Sequence, residues 1–247
     1  MAEPVVASIA TLPARVHLLS RVVAAILPQV DHLNVFFDGH ENVPPCLLPH
    51  LHKVTLAYAA DYGALHGSGK FLWAEKSVGY HLTIDDDLLY PPNYVSQMIA
   101  AIERHQRRAV ICVLGRRFLT PILKDFYQSP MLGFSADAEL VVDLHVHLPG
   151  SGTVAWHTDT FKIAPSRTPF QDDMHVALTA RRQNVPIIAL ARPTSWVMTQ
   201  EVNGFTTAAM ADKIPNLNRL LREHAPWPAL PAPNNQLLKD LIRRHWR

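Results

Sequence analysis

Short apolar runs alternate with amphipathic stretches through the first half of the chain. Runs rich in apolar and β-branched residues, typical of buried strands, lie at 4–11, 32–37, 54–58, 80–84 and 109–114. Helical spacing of apolar residues is found between them at 13–27, 70–78 and 91–106. Strands that alternate with helices in this way predict a mostly parallel sheet with helices on both faces.

The pattern changes after Gly115. Residues 140–148 alternate between apolar and polar types and 153–161 are strand-like, which predicts that this half adds antiparallel strands. A helix at 172–183, a strand at 186–190 and tail helices near 212–223 and 234–246 follow, with a proline-rich link at 225–233. We predict one α/β domain with two halves, 1–114 and 115–200, and a helical tail over 201–247.

Composition and charge narrow the class of protein. The apolar fraction of 48% is far too high for a disordered chain, and the net charge of +2 argues against a nucleic-acid partner. Two cysteines, Cys46 and Cys112, cannot form a disulfide framework and indicate a reducing compartment. Because no apolar run reaches about 18–20 residues and the opening MAEP lacks the order of a signal peptide, we expect a cytoplasmic protein.

Three adjacent acids, Asp85, Asp86 and Asp87, follow the apolar strand at 80–84. Ligands of open α/β sheets bind at the carboxyl ends of strands, and a bound divalent cation would relieve the repulsion among three carboxylates there. Residues i and i+2 of an extended chain point the same way, so Asp85 and Asp87 are expected to act as a pair. The alternative is a helix-capping turn, for which one acid suffices.

Several segments, in this order, resemble nucleotide-sugar glycosyltransferases of the GT-A fold, similar to bacterial family 2 enzymes. They are VVASIAT, VFFDGH, KFLWAEKSVGYHLTIDDDLLYPPNYV, GTVAWHT and FQDDMHVALTARRQNVPIIAL, and the resemblance covers about residues 5–197. It implies a Rossmann-like GT-A domain in which 1–114 binds a UDP-sugar donor and 115–200 binds the acceptor. It further implies Mn²⁺ or Mg²⁺ as cofactor and a glycan or lipid-linked acceptor in surface polysaccharide synthesis.

The resemblance also implies roles for residues of the donor site. Asp85 and Asp87 match the pair that binds the divalent cation on the diphosphate, with Asp87 the principal ligand, and Asp85 or Asp86 would contact the sugar or ribose. Asp38, which closes the second strand, would contact the base. The loop from Thr11 to Arg15 would line the same pocket, and Lys70 would supply a basic group between the nucleotide and metal motifs.

Gln171-Asp172-Asp173 matches the family's second acidic motif, with aspartate in place of the usual glutamate. The resemblance implies that Asp173 is the catalytic base, with Asp172 as second choice. Sugar transfer needs a group that removes the acceptor's proton, so we expect an inverting single displacement. The alternative is that both acids only complement the dipole of the helix that follows.

Two further residues are candidates near the end of the GTVAWHT segment. His157 follows an apolar strand and is a candidate for metal or acceptor binding. Trp156, like Trp196, is a candidate for stacking on a sugar or base, although aromatic residues more often pack in a core. The family's C-terminal histidine ligand has no convincing match in His224 or His245.

Other patterns support rival functions. His145 and His147 lie on one face of a strand and, with the Asp cluster, suggest a metal-dependent hydrolase. A catalytically inactive nucleotide-sugar-binding module is a third hypothesis. Gly67-Ser68-Gly69-Lys70 lacks the residues that a P-loop requires, with Ala64 and Phe71 at the deciding positions.

The segment LLKDLIRRHWR at 237–247 has the spacing of an amphipathic basic helix. Such a helix can lie on an anionic lipid surface, which would give peripheral membrane contact. The alternative is that it docks on the domain.

Overall fold

Thirteen strands and six α-helices are present in the residues that the computed structural model describes, which are 3–123, 125–126, 128–168, 171–200 and 207–245. The strands are β1 (Val5–Thr11), β2 (His32–Phe37), β3 (Val54–Tyr58), β4 (Tyr80–Ile84), β5 (Leu88–Leu89), β6 (Val110–Cys112), β7 (Gly115–Phe118), β8 (Met131–Phe134), β9 (Leu144–Val146), β10 (Leu148–Pro149), β11 (Thr153–His157), β12 (Ile187–Ala189) and β13 (Met198–Thr199). The α-helices are α1 (Val16–Ile26), α2 (Ala59–Tyr62), α3 (Tyr94–Arg104), α4 (Asp172–Arg182), α5 (Thr207–Glu223) and α6 (Gln236–His245).

Eight strands form a mixed sheet in the order β3-β2-β1-β4-β11-β6-β12-β9. The strands β3, β2, β1 and β4 are parallel, whereas β11 runs antiparallel between β4 and β6. Smaller sheets join β10, β7 and β8, and pair β13 with β5. The predicted α/β fold, a mostly parallel sheet with antiparallel strands in the second half, is confirmed.

Side chains on the two faces of this sheet enter two different cores. Ile9 and Ile84 pack with residues of α1 and α3 in one core. Val154 and Trp156, which alternate with Ala155 along β11, pack with residues of α4 in the other. A strand buried on both faces explains the continuous apolar runs of the sequence.

The predicted helix at 70–78 is wrong. The chain forms a 3-10 helix at His66–Phe71 and then turns, with backbone bonds from Ala74 N–H to Phe71 O and from Lys76 N–H to Trp73 O. Gly69 lies so close to β2 that a Cβ atom would be 2.1 Å from Cδ1 of Phe36. Any larger residue at position 69 would collide with Phe36, so this segment follows the sheet surface closely and apolar spacing alone misleads here.

The second half of the chain also differs from the strands that its sequence pattern predicts. The predicted strand at 140–148 divides into β9 and β10, which belong to different sheets. His147 lies between them, and its Nδ1 accepts a hydrogen bond from the backbone N–H of Phe118. The predicted strand at 153–161 ends at His157, where the chain turns.

The tail helices occur as α5 and α6, and the link before α6 is bound to the domain. Buried Arg117 donates to the carbonyls of Leu230 and Pro231, and Arg181 donates to that of His224. The last two residues of the predicted basic helix, 246–247, lie outside the described residues. No helix in the described part of the chain combines the length and apolar character needed to cross a bilayer.

Replacing Trp156 by alanine is expected to destabilise the fold severely. The Trp156 ring is fully buried, stacks on His81 and meets Phe161 edge-on. Loss of a buried aromatic side chain costs about 3–5 kcal/mol of the free energy of unfolding, which urea titration measures. Tyr62→Ala, at an aromatic residue that is 45% exposed, should cost less than about 0.5 kcal/mol. Equal effects of the two substitutions would contradict this placement of Trp156.

Candidate functional site

The candidate site lies where the order of strands reverses, between β1 and β4. The chain leaves β1 towards β2 on one side, and β4 lies on the other side. In open α/β sheets a crevice forms at the carboxyl ends of such strands and receives the ligand. Ile9 pairs with Ile84, so the end of β1 at Thr11 lies beside the acidic turn (residues 85–87).

Both carboxylate oxygens of Asp86 accept hydrogen bonds from side chains of the protein. Its Oδ2 accepts a hydrogen bond from Thr11 Oγ1 at 2.8 Å, and its Oδ1 accepts one from Arg15 Nη1 at 2.8 Å. The Asp86 side chain is only 3% exposed. The expectation that Asp86 contacts a sugar or ribose is therefore corrected: Asp86 connects the loop after β1 to the acidic turn.

Asp85 and Asp87 remain partly accessible at the crevice, with side chains 37% and 24% exposed. Arg15 Nη1 also lies 3.2 Å from Asp87 Oδ2. Buried Lys70 donates from Nζ to Asp85 Oδ1 at 2.6 Å. Burial lowers the pKa of Lys70, but the charges of Asp85, Asp172 and Asp173 shift it upward overall.

The second acidic pair begins α4. Asp173 Oδ1 accepts a hydrogen bond from the backbone N–H of Ser151 at 2.8 Å. Asp172 Oδ1 is buried with no hydrogen-bond partner within the described residues. Burial, with help from the charges of Asp173 and Asp85 and against that of Lys70, raises the pKa of Asp172 to about 6. The structure thus brings the two predicted acidic motifs to one crevice, with Lys70 between them.

The crevice has an excess of negative charge. Five carboxylates, at 85–87 and 172–173, face two cations, Arg15 and Lys70, which leaves three negative charges (5 − 2). Burial, and then the charge of Asp85, raise the pKa of Asp87 in spite of Arg15. No group of three or more His, Cys, Asp or Glu side chains forms a complete cation site in the part of the chain that the structure describes.

The oxygen donors of Asp85 and Asp87 nevertheless fit Mg²⁺ or Mn²⁺. These ions commonly bind one or two carboxylates and take their other ligands from water and substrate phosphates. Burial and the charge of Asp85 raise the pKa of Asp87, and a nearby cation would favour its charged form. The pair therefore suits a divalent ion that arrives with a phosphorylated ligand.

Asp38 lies at the opposite side of the crevice, at the end of β2. Its backbone N–H donates to Thr11 O, and its Oδ2 lies 2.9 Å from Nδ1 of His66. An open cavity of about 400 Å³, lined by residues 39–42 and Pro13, adjoins it. The predicted base-binding acid is thus beside a surface depression and the loop after β1.

His157 and Trp156 are not part of this site. His157 pairs with Tyr80 at the far end of β4, about 13 Å along the strand from the pair of Thr153 with Ile84. There its Nε2 lies within 3.3 Å of Glu3. The prediction that His157 shares a metal with Asp85 and Asp87 is wrong, because β11 runs antiparallel to β4. The prediction that Trp156 stacks on a ligand is also wrong, because its ring is inside the core.

The His145 and His147 pair is equally remote. It lies at β9, four strands away from β4, which is about 19 Å across the sheet. Both ring nitrogens of His147 are used, because Nε2 donates to Pro228 O at 2.8 Å while Nδ1 accepts from Phe118. Burial lowers the pKa of His147 to about 4. A hydrolase site that combines these histidines with the Asp cluster is excluded.

Four further residues belong to the site's framework. Ser151 and Gly152 lie in a turn whose sequence predicts a close approach, whereas Tyr90 and Gln200 were not predicted. Gln200 donates from its backbone N–H to Asp87 O and from Nε2 to Asp86 O. A Cβ atom on Gly152 would lie 2.0 Å from Asp85 Oδ2, so only glycine lets this carboxylate pack against the chain. The Gly-Ser-Gly sequence at 150–152 signals a close approach, whereas nothing in the sequence around Tyr90 or Gln200 signals its partners.

Comparison with solved structures identifies the architecture. Over 92% of this chain and 81% of the other, it is similar to glucosyl-3-phosphoglycerate synthase from Mycobacterium tuberculosis, solved with Mg²⁺ and UDP (TM-score 0.57, 10% identity). Over 97% of this chain and 70% of the other, it is similar to S. aureus TarS 1-349, solved with UDP-GlcNAc (TM-score 0.53, 10% identity). No protein-family model and no curated protein sequence matches the chain. The chain has a GT-A-like fold of the kind found in nucleotide-sugar enzymes.

Replacing Asp172 by asparagine is expected to stabilise the protein at neutral pH. Its pKa rises from an ordinary 3.8 to about 6 on folding, so the folded state retains a proton that the unfolded chain releases. The contribution of Asp172 to the free energy of unfolding is therefore most favourable below about pH 4, and it is lost as the pH rises through 6. Asp172→Asn should therefore gain about 1–2 kcal/mol at pH 7.5, and the gain should approach zero at pH 4.

Urea unfolding at the two pH values measures this difference. Asp159→Asn is the matched control, because the Asp159 side chain is 86% exposed. A loss of stability in Asp172→Asn at pH 7.5 would contradict the electrostatic account of the site.

Proposed function

We propose that this protein is a glycosyltransferase that moves a sugar from a UDP-sugar to an acceptor hydroxyl. The observation that carries the proposal is the meeting of two acidic pairs, Asp85 with Asp87 and Asp172 with Asp173, around Lys70 at the switch point of a GT-A-like sheet. The similar fold of two proteins solved with UDP or UDP-GlcNAc supports it. A hexosyl or N-acetylhexosaminyl unit is the sugar we expect.

The donor would bind on the side of residues 1–114. Asp85 and Asp87 would bind Mn²⁺ or Mg²⁺, which when bound would neutralise the charge that develops on the diphosphate leaving group. Lys70 and Arg15 add fixed positive charge beside the same carboxylates. Asp38 and the loop from Thr11 to Arg15 would contact the nucleoside.

Asp173 is the candidate general base. The Ser151 N–H orients one of its carboxylate oxygens, and the family resemblance gives Asp173 the position of the base, with Asp172 as second choice. The acceptor oxygen would form a bond to the anomeric carbon as the bond from that carbon to UDP breaks. The hydroxyl proton would pass to Asp173, and this single displacement would invert the anomeric centre.

The acceptor would approach from the side of residues 115–200. We propose a glycan or lipid-linked acceptor in surface polysaccharide synthesis, in line with the family resemblance. Leu237, at the start of α6, is 82% exposed, which supports a peripheral contact of this basic helix with an anionic membrane surface.

Binding of UDP is expected to depend on the metal through Asp87. UDP with Mn²⁺ at about 100 times its dissociation constant should stabilise the native protein by about 2.7 kcal/mol, a rise of about 5–10 °C in melting temperature. Asp87→Asn should lose the part of the shift that depends on Mn²⁺, and Asp159→Asn should keep it. A wild-type protein whose melting temperature does not respond to UDP, GDP, CDP or TDP, with or without Mn²⁺, would remove the basis of the proposed function.

Turnover is expected to depend on Asp173. Asp173→Asn should lower the release of UDP from a UDP-sugar by at least about 100-fold, because a general base contributes about that factor or more. Its thermal response to UDP and Mn²⁺ should stay as in wild type. A near-wild-type rate would refute the assignment of the base, and UDP binding without turnover by any wild-type preparation would instead indicate a binding module.

A further inference from the structure

The hydroxyl of Tyr90 lies between two backbone segments at the crevice. It accepts a hydrogen bond from the N–H of Asp85 at 2.8 Å and donates one to the carbonyl of Gly152 at 2.7 Å. A phenol has one donor and two acceptor sites, so both bonds form at once. Tyr90 is only 5% exposed, and burial raises its pKa above the usual value, which keeps the hydroxyl protonated.

This position is the point at which β4 and β11 separate. The ladder between the strands ends at the pair of Ile84 with Thr153, so Asp85 and Gly152 are the next residues in register. The Tyr90 hydroxyl is interposed between the N–H of one and the carbonyl of the other, where a direct ladder bond would form. It therefore sets the width of the gap between the acidic turn and the glycine turn (residues 150–152).

The two turns carry the two chemical groups of the proposed transferase. Asp85 belongs to the acidic turn, and its carboxylate packs directly on Gly152. Ser151, in the glycine turn, donates its N–H to Asp173. Contacts thus run from Asp85 through Tyr90 and the glycine turn to Asp173, although Tyr90 and Asp173 are 83 positions apart in the sequence (173 − 90).

We propose that Tyr90 is a positioning residue: its hydroxyl fixes the separation between the metal-binding carboxylates and the general base. The proposal rests on the proposed function. Tyr90 contacts no reacting atom; it acts through the backbone of Asp85 and of the glycine turn. Removal of the hydroxyl leaves a buried N–H and a buried carbonyl without partners, and the turns must move to satisfy them.

The neighbouring Tyr94 supplies a matched control. Its ring meets that of Tyr90 edge-on with centroids 4.7 Å apart, and it too is buried. The Tyr94 hydroxyl has no hydrogen-bond partner within the described residues. Tyr90→Phe and Tyr94→Phe therefore remove the same atom from adjacent rings, but only the first removes contacts to the two turns.

The test compares the two variants in three measurements. In Tyr90→Phe, the backbone amide hydrogen of Asp85 should exchange with solvent at least about ten times faster than in wild type. Half-saturation by Mn²⁺ in the presence of UDP should need about ten times more metal, a factor that corresponds to about 1.4 kcal/mol. The kcat for UDP release should fall while the affinity for UDP without metal stays unchanged. Tyr94→Phe should match wild type in all three.

Equal Mn²⁺ half-saturation and equal kcat in Tyr90→Phe and Tyr94→Phe would overturn the proposal, even if both variants melt at a lower temperature. If Tyr90→Phe does not fold at 25 °C, Thr83→Val tests the spacing from the side of the glycine turn, because Thr83 Oγ1 donates to Ser151 O at 2.7 Å. Its Mn²⁺ half-saturation and kcat should then change as given for Tyr90→Phe, and values equal to those of Tyr94→Phe would overturn the proposal. Failure of wild type to bind UDP and Mn²⁺ would count against the proposed function itself, which separates the two failures.

Discussion

The burial of several carboxylates together, just after β4 and at the start of α4, is the constraint on which the site depends. Burial first, and then the neighbouring negative charges, raise the pKa of Asp87 and of Asp172, so ionising these carboxyls costs free energy in the folded state. A structure that served stability alone would place fewer acids here. The fold tolerates the excess charge because the two large apolar cores supply stability elsewhere, and the proposed function uses that charge to bind a cation.

Two basic side chains, Arg15 and Lys70, compensate part of the negative charge of these carboxylates but not all of it. Arg15 and Thr11 satisfy both oxygens of Asp86, which makes the middle acid of the turn a structural element. Lys70, buried among Asp85, Asp172 and Asp173, would be costly if these acids were absent. Each cation therefore stabilises particular carboxylates, and the negative charge that remains is concentrated at the accessible oxygens of the crevice.

The antiparallel direction of β11 determines which residues meet these acids. Because β11 begins beside the end of β4, the glycine turn that precedes it reaches both Asp85 and the start of α4. A parallel strand would bring its other end, with His157, to the crevice. Gln200 and Tyr90 then fix the acidic turn through its backbone, so its geometry depends on residues that lie outside the turn in the sequence.

The sequence by itself determined the parallel half of the sheet, the α/β class and both acidic motifs, because alternation of apolar runs and acids at a strand end are local signals. It did not determine the direction of β11, and so His157 was assigned to the wrong end of the sheet. Nor could it show that Trp156 points into a core, that Asp86 accepts a hydrogen bond from Arg15, or that Tyr90 lies between two turns. Each of these depends on a partner more than 60 positions away, whose location is set only when the strands pair and the cores close.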